Sequence, residues 1–479
     1  MNYKAVFNIV ARILLVEAVL MMLPLIVSIL YQEDPVCFLL PVILLGVIGG
    51  FGTLTLKTDD KIYSREGFVI VALSWILMSV GGCLPFMISG YIPSFADAFF
   101  ETVSGFTTTG ASILTDVEAL PQGLLFWRSF THWIGGMGVL VFIMAIMPLT
   151  GIRSVHLMRA EVPGPTKSKL VPRMRDTASL LYRIYIAMTL IEVVLLMLGG
   201  MNLFDALINS FGTAGTGGFS NKALSVGAYD SAYFDIVIGV FMMLFGINFN
   251  LYYLILIGNI KTALKSEELR WYLGFIGIST VVIAINISSF FDGAAQCLRY
   301  AFFQVSSIIT TTGYATTDFN TWPTLSKAIL VMLMVVGGCA GSTGGGVKVS
   351  RVIIGCKSIV REMRRLLHPR AVESVRLDGA PIDKRDAHAT MIFLSAFFCL
   401  FAVLFLFTTI DGYDLTTSAT AVLACISNIG PGLELVGPMG SFAGFSAPVK
   451  MALSFGMLFG RLEIFPMMML FVPSTWRRT

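Results

Sequence analysis

The chain has 479 residues, of which 56% are hydrophobic and only 13% charged, and its mean hydropathy is +0.81. A soluble globule of this size would expose more charge, so the composition places the chain in lipid. The net charge of +4 says less than its distribution, and seven scattered cysteines without a CxxC pair argue against a disulfide framework or a zinc site.

Taken in chain order, the apolar runs Ile9–Leu30, Phe38–Leu56 and Phe68–Gly90 approach or exceed the roughly 20 residues that cross a ~30 Å hydrocarbon layer. Similar runs recur to the C-terminus and leave no room for a large soluble domain. The first lacks a small-residue cleavage site and is followed at once by the second, so it reads as a retained helix. Basic residues concentrate in Arg153–Arg175, Lys261–Arg270, Lys348–Arg385 and at Arg477 and Arg478, which the positive-inside rule makes cytoplasmic, together with the N-terminus. The intervening Glu33, Asp34, Asp116, Glu118, Asp318, Asp411, Asp414 and Glu434 then face outside. Each excursion between basic loops holds two long spans and, between them, a stretch too short and too polar to cross, as a re-entrant segment would be.

These short stretches align with one another. They read FADAFFETVSGFTTTGAS from 95, FDALINSFGTAGTGGFS from 204, LRYAFFQVSSIITTTGYATTDF from 298 and YDLTTSATAVLACISNIGPGLE from 413. The aligned glycines, Gly110, Gly217, Gly313 and Gly430, are 107, 96 and 117 residues apart, room for a helix, a re-entrant helix with its loop, and another helix. The repeats run in parallel. Asp97, Asp205 and Asp414 are the expected N-caps of three short helices, and the third repeat offers only Asp292 further upstream. The expected architecture is an all-α polytopic membrane protein: an N-terminal hairpin over 1–60, then pore repeats over 61–160, 161–265, 266–365 and 366–479 around a pseudo-fourfold pore.

A cation crossing lipid must exchange its water shell for oxygens, and a ring of backbone carbonyls supplies them without a fixed charge that would trap the ion. Carbonyls aimed at an axis need unusual backbone angles, which glycine reaches at little steric cost after Thr109, Thr216, Thr312 and Ile429. Thr108, Thr109, Thr311 and Thr312 add hydroxyls that anchor the loop or supply further oxygens, and Asn428 precedes Ile429 in the fourth repeat. A single Thr/Gly stretch is more often a surface turn. Four copies between spanning helices on one side favour a shared path for a dehydrated monovalent cation.

Two further features stand out. Gly337, Gly338, Gly341, Ser342, Thr343, Gly344, Gly345 and Gly346 interrupt the second long helix of the third repeat, at a cost of about 1 kcal/mol per glycine, so the helix breaks there. A phosphate loop is not matched, because Lys348 stands between Val347 and Val349; a passive hinge and a moving obstruction both remain open. Arg461 lies in the final apolar helix, where a cation costs ~2.5–3.5 kcal/mol on insertion scales and either snorkels, pairs with a carboxylate or faces a cavity. Glu463 is an ill-placed partner for it, two residues away and on another face. Trp127, Arg128, His132 and Trp133 read as an interfacial belt, and Asn248 and Asn250 as polar positions inside an apolar helix that line a path or bond a neighbour. Nothing in the chain points to nucleic acid or to an enzyme.

The segments TVSGFTTTGAS, FGTAGTGGFS, SSIITTTGYATTDFN and SNIGPGLE, with WRSFTHWIGGMG at 127–138 and GGCAGSTGGGVKVSR at 337–351, resemble the TrkH/TrkG-type membrane subunits of the Trk/Ktr/HKT superfamily of K⁺ transporters, over essentially the whole chain. The resemblance implies K⁺ as the transported ion, since serine in place of the first filter glycine accompanies Na⁺ permeation and this chain has Gly110. It implies that the 337–346 loop obstructs the path below the filter and moves to open it, and that Arg461 repels cations there. It also implies a homodimer in the inner membrane, bound beneath by a ring of nucleotide-binding TrkA-like regulatory subunits. The alternatives are a Na⁺-permeable or H⁺/Na⁺-coupled transporter of the same superfamily. An inverted-repeat transporter would show broken helices in matching halves, whereas one broken helix is expected here.

Overall fold

The computed structural model describes residues 1–56, 64–138, 174–370 and 373–476. The basic stretch Arg153–Arg175 lies almost wholly outside the described residues, as do Arg477, Arg478 and the proposed junction at 160/161. The described chain is built of helices, apart from one two-residue antiparallel pair, Arg376–Leu377 with Ala380–Pro381.

Among the described residues, six helical segments are long and apolar enough to span a membrane: Tyr3–Leu30, Val36–Thr55, Arg65–Ile88, Ala178–Leu198, Glu267–Asn286 and Lys384–Asp411. Their burial separates centre from periphery, since the Arg65–Ile88 window is 67% buried and that of Lys384–Asp411 only 17%. The outer faces carry Ile278, Val281, Ile285, Val403 and Leu406, apolar side chains that acyl chains solvate. Lipid offers no hydrophobic drive between helices, so close packing must supply the attraction. Accordingly, Gly49 and Gly52 of Val36–Thr55 sit directly against Ala11 and Leu15 of the first helix, where a methyl on Gly49 would approach the Ala11 carbonyl oxygen to 2.7 Å.

Four shorter helices lie among these spans: Phe95–Phe106, Leu203–Gly215, Ala294–Ile309 and Leu415–Ser427. Their last turns are enclosed by protein; every residue from Ala98 to Phe106 is buried. That enclosure allows the irregular backbone following each of them at membrane depth.

Their N-termini depart from expectation. Asp414 does cap its helix, accepting from the Thr417 N–H at 3.0 Å, and the Thr417 hydroxyl and N–H beside it hold its carboxyl below the usual aspartate range. Elsewhere Ser94, Asn202 and Gly293 take the cap position, and Asp97 and Asp205 fall in the first helical turn. There Asp205 accepts from Asn202 and Asn221, while Asp97 pairs with the buried Lys450 at 2.6 Å. A carboxylate in the first turn meets the positive end of the helix dipole, so the attraction survives without the cap geometry.

Among the described residues two long helices are broken, not one. Thr324–Val336 ends at Gly337, whose φ of 74° no helix accepts, and the chain resumes as Val349–Leu367. Ala232–Phe245 and Phe249–Leu256 meet at 92°. Asn248 stands at this second break and not inside a helix, capping Phe249–Leu256 by accepting from Asn250 N–H at 2.9 Å.

Candidate functional site: four loops closing a ring

Each short helix ends in the same way. The N–H of Thr108, Thr216, Thr311 or Asn428 donates three residues back, and the N–H of the following residue donates five residues back: Thr109 to Ser104, Gly217 to Gly212, Thr312 to Ser307 and Ile429 to Ala424, at 2.8–2.9 Å. This is a Schellman closure, which requires a left-handed residue at its turn. Thr108, Thr216, Thr311 and Asn428 supply it, with φ of 54°, 54°, 62° and 55°. Glycine would adopt this conformation freely, whereas a threonine held there stores on the order of 1–2 kcal/mol of strain.

Two residues on, the backbone turns left-handed again, at Gly110 (φ 80°), Gly218 (79°), Gly313 (82°) and Gly430 (94°). The second loop therefore corrects the register read from the sequence. Gly217 occupies the place of Thr109, Thr312 and Ile429, and Gly218 is the counterpart of the other three glycines. Glycine at both positions made the two registers indistinguishable by composition.

The four turns touch in cyclic order. A methyl group on Gly110 would come within 2.0 Å of the Gly217 carbonyl oxygen, one on Gly218 within 2.0 Å of Thr312 O, one on Gly313 within 2.0 Å of Ile429 O, and one on Gly430 within 2.7 Å of Thr109 O. Loop one thus abuts two, two abuts three, three abuts four, and four returns to one. Backbone oxygen lies where any side chain would go, so all four positions demand glycine for space as well as for φ.

Side chains hold the ring from behind. Thr107 and Thr109 hydroxyls share a hydrogen bond of 2.8 Å, as do those of Thr310 and Thr312. Asn428 Nδ2 donates to Thr109 Oγ1 (2.9 Å) and to the Met457 carbonyl (3.0 Å), tying the fourth loop to the first. His132 backs the second loop, its ring stacked on Phe219 at 4.2 Å and accepting from the Phe219 N–H at 3.4 Å.

The expected interfacial belt is instead part of this support. Trp127, Arg128 and His132 are buried, with Trp127 donating to the Gly82 carbonyl and Trp133 to Thr189. Arg128 Nε meets Glu101 Oε1 at 2.5 Å, its Nη1 donates to Ser220 O at 3.0 Å, and its guanidinium lies 3.6 Å from the centre of the Phe219 ring. Glu101 also accepts from Ser112 Oγ and Ile113 N–H, so one buried ion pair joins the limbs that follow the turns of loops one and two. A buried charge is costly once its partner is removed. Glu101→Ala is expected to cost ~3–5 kcal/mol, read as a large fall in the apparent unfolding temperature of the purified protein, with Glu101→Gln/Arg128→Met losing less. A shift as small as that of a surface substitution in Glu101→Ala would contradict this account.

The glycine-rich segment lies against loops three and four. Gly345 N–H donates to Thr311 Oγ1 (2.6 Å) and Gly346 N–H to Ser427 O (2.9 Å), while Thr343 Oγ1 donates to Phe245 O and Cys339 N–H to Gly246 O. The segment thus bridges loops three and four to the break after Phe245. The buried Glu268 holds its far end by accepting from Ala340 N–H (2.7 Å) and Ser350 N–H (3.1 Å). The buried Lys348 ammonium donates to Gly344 O.

Arg461 completes the arrangement from the last long helix, Ala447–Arg461. Its Nη1 donates to Thr343 O at 2.8 Å and its Nη2 to the Gly135 and Gly136 carbonyls. Glu463 is engaged elsewhere, with Arg351 at 2.7 Å. Glu101, Gly218, Glu268, Lys348 and Arg351 were not singled out as site residues from the sequence. Only Gly218 left a local signal there, as the second glycine of Thr216-Gly217-Gly218.

Comparison with known proteins agrees with this architecture. A family model for TrkH, described as a cation transport protein, matches residues 42–478. The chain is 37% identical to the Trk system potassium uptake protein TrkH of Salmonella typhimurium, with all of both chains covered, and 36% identical to TrkG of Escherichia coli over 95% of each. The crystal structure of the potassium transporter TrkH from Vibrio parahaemolyticus superposes with a TM-score of 0.89 at 34% identity, covering 100% of both chains. On these grounds the chain belongs to the TrkH family of cation transport proteins.

Proposed function

We propose that this chain is the membrane subunit of a potassium uptake system, passing K⁺ through the ring formed by the loops at Thr108–Gly110, Thr216–Gly218, Thr311–Gly313 and Asn428–Gly430. The observation that carries this reading is the cyclic contact of four equivalent turns, each presenting its backbone oxygen to the next glycine. Carbonyl rings of this kind replace the hydration shell of a cation without trapping it. The relatives' description as potassium uptake proteins and the glycine at 110 support K⁺ as the ion.

The segment from Gly337 to Gly346 is the gate. It rests against Thr311 and Ser427 on one side of the ring, and Arg461 both anchors it and adds a positive charge beside it. Transport runs down the electrochemical gradient, and ~100 mV, worth about 2.3 kcal/mol per charge, sustains about 50-fold accumulation. The four pseudo-fourfold repeats divide the chain near residues 60, 160, 265 and 365. The protein works in the inner membrane as a homodimer, and TrkA-like nucleotide-binding subunits docked beneath displace the gate.

Flux into liposomes tests the reading. Purified protein with its regulatory partner is expected to carry K⁺ and Rb⁺ well above Na⁺, with a reversal potential that follows the K⁺ gradient. A reversal potential indifferent to K⁺ would overturn it.

A further inference from the structure

At the basic end of the molecule a cleft of about 660 Å³ opens between the second half of helix Val349–Leu367 and the start of helix Lys384–Thr408. Arg361, Arg365, Arg370, Lys384 and Arg385 line it. Glu362 and Glu373 stand in its wall as well; Glu362 is shared by Arg361 at 2.7 Å and Arg365 at 3.6 Å, and Glu373 pairs with Arg364 at 3.8 Å. Arg370, Lys384 and Arg385 make no ion pair among the described residues. With five cations and two carboxylates around one hollow, both carboxylates already paired, the remaining cations repel one another unless an anion enters.

Two other observations identify the anion. Lys384 begins the apolar segment Lys384–Asp411, the least buried of the spanning candidates, so the cleft opens at the level where hydrocarbon gives way to water. On a neighbouring face of helix Val349–Leu367, outside the lining of the cleft, Met363, Leu366 and Leu367 form an exposed apolar stripe, at 61%, 82% and 75% exposure. Basic and apolar faces together on one helix suit the headgroup boundary of a bilayer.

We propose that this cleft binds the phosphate of an anionic phospholipid, with Arg370, Lys384 and Arg385 around the headgroup and the acyl chains lying along the Met363–Leu367 stripe. A free phosphate would satisfy the charges and leave the stripe bare; a lipid uses both. The site depends on the chain's place in the membrane and not on conduction by the ring, so it stands or falls apart from the transport reading.

Native mass spectrometry of delipidated, detergent-solubilised protein tests the site, with phosphatidylglycerol, phosphatidylcholine or inorganic phosphate added separately. Phosphatidylglycerol is expected to be retained and phosphatidylcholine lost. Each cation near an anionic surface contributes a factor of about five, so Arg370→Gln/Lys384→Gln/Arg385→Gln should bind phosphatidylglycerol on the order of 100-fold more weakly. Lys261→Gln, outside the cleft, should change retention by no more than one such factor. Unchanged K⁺ flux of the triple variant in phosphatidylcholine vesicles would show it folded, and the single variant Arg385→Gln gives the same readout if the triple one does not fold. Equal retention of both lipids, equal binding by wild type and variant, or inorganic phosphate bound as tightly as lipid would each overturn the proposal. So would a variant that keeps its lipid but loses its cytoplasmic regulator, which would make the cleft a protein-docking surface.

Discussion

Gly218→Ser is expected to erase the discrimination between K⁺ and Na⁺ as thoroughly as Gly313→Ser. At both positions the new side chain meets a backbone oxygen at about 2.0 Å and takes a left-handed φ near 80°. A non-glycine residue in that conformation costs on the order of 1–2 kcal/mol before any clash, and a backbone oxygen cannot turn aside as a flexible side chain can. The adjoining loop must therefore shift by several tenths of an ångström or more, and so must the oxygens proposed to replace the ion's water. Gly217→Ala differs in kind. Its φ is ordinary, and the added methyl strikes the His132 ring at 2.3 Å. It should perturb the loop through His132, and Gly217→Ala/His132→Ala should recover part of the selectivity. Bi-ionic reversal potentials in planar bilayers distinguish the two residues; selectivity unaffected by Gly218→Ser, or rescue of Gly218→Ser by His132→Ala, would refute the register proposed for the second loop.

Arg461→Ala is expected to raise basal flux in the absence of the regulatory partner by about tenfold or more. Arg461 donates to Thr343 O within the proposed gate segment and to the Gly135 and Gly136 carbonyls outside it, so one guanidinium fastens the segment to the far side of the bundle. A hydrogen bond to a charged group is worth ~1.5–3 kcal/mol, and each 1.4 kcal/mol changes the population of a displaced segment tenfold. Removing the charge also lowers the electrostatic cost of a cation beneath the ring. Gly345, Gly346, Ala340 and Ser350 keep their own anchors, so the segment loosens without being lost. Arg461→Lys retains the charge but not the forked donors, and should give an intermediate flux. Rb⁺ uptake into proteoliposomes normalised to protein content gives the answer, and unchanged or lower uptake by the alanine variant would remove Arg461 from the gate.

The interfacial reading of Arg128 shows how sequence patterns mislead in this fold. Tryptophan, arginine and histidine cluster at the start of a spanning helix in many membrane proteins because their polar tips reach water. Here the tips reach Glu101, Ser220 and Gly82 instead, on segments that only the folded chain brings near. The same holds for Glu463, which sequence proximity sets beside Arg461 and the fold gives to Arg351, 112 residues away.

Hydropathy and self-similarity in the sequence determined the membrane class, the four short helices with their loops, and the break at Gly337, because each depends on local composition: apolar length against bilayer thickness, or glycine against helix propensity. The fold alone decided that Gly218 and not Gly217 completes the ring, that Ser94 and Asn202 and not Asp97 and Asp205 occupy the N-cap positions, and that a second span bends at Asn248. It also decided the partners of Arg128, Glu268, Lys348, Arg351 and Arg461. Inside a low-dielectric bundle a charge or an unpaired backbone group is tolerated only where a complementary group lies within hydrogen-bond reach, and that group stands most often on a segment distant along the chain.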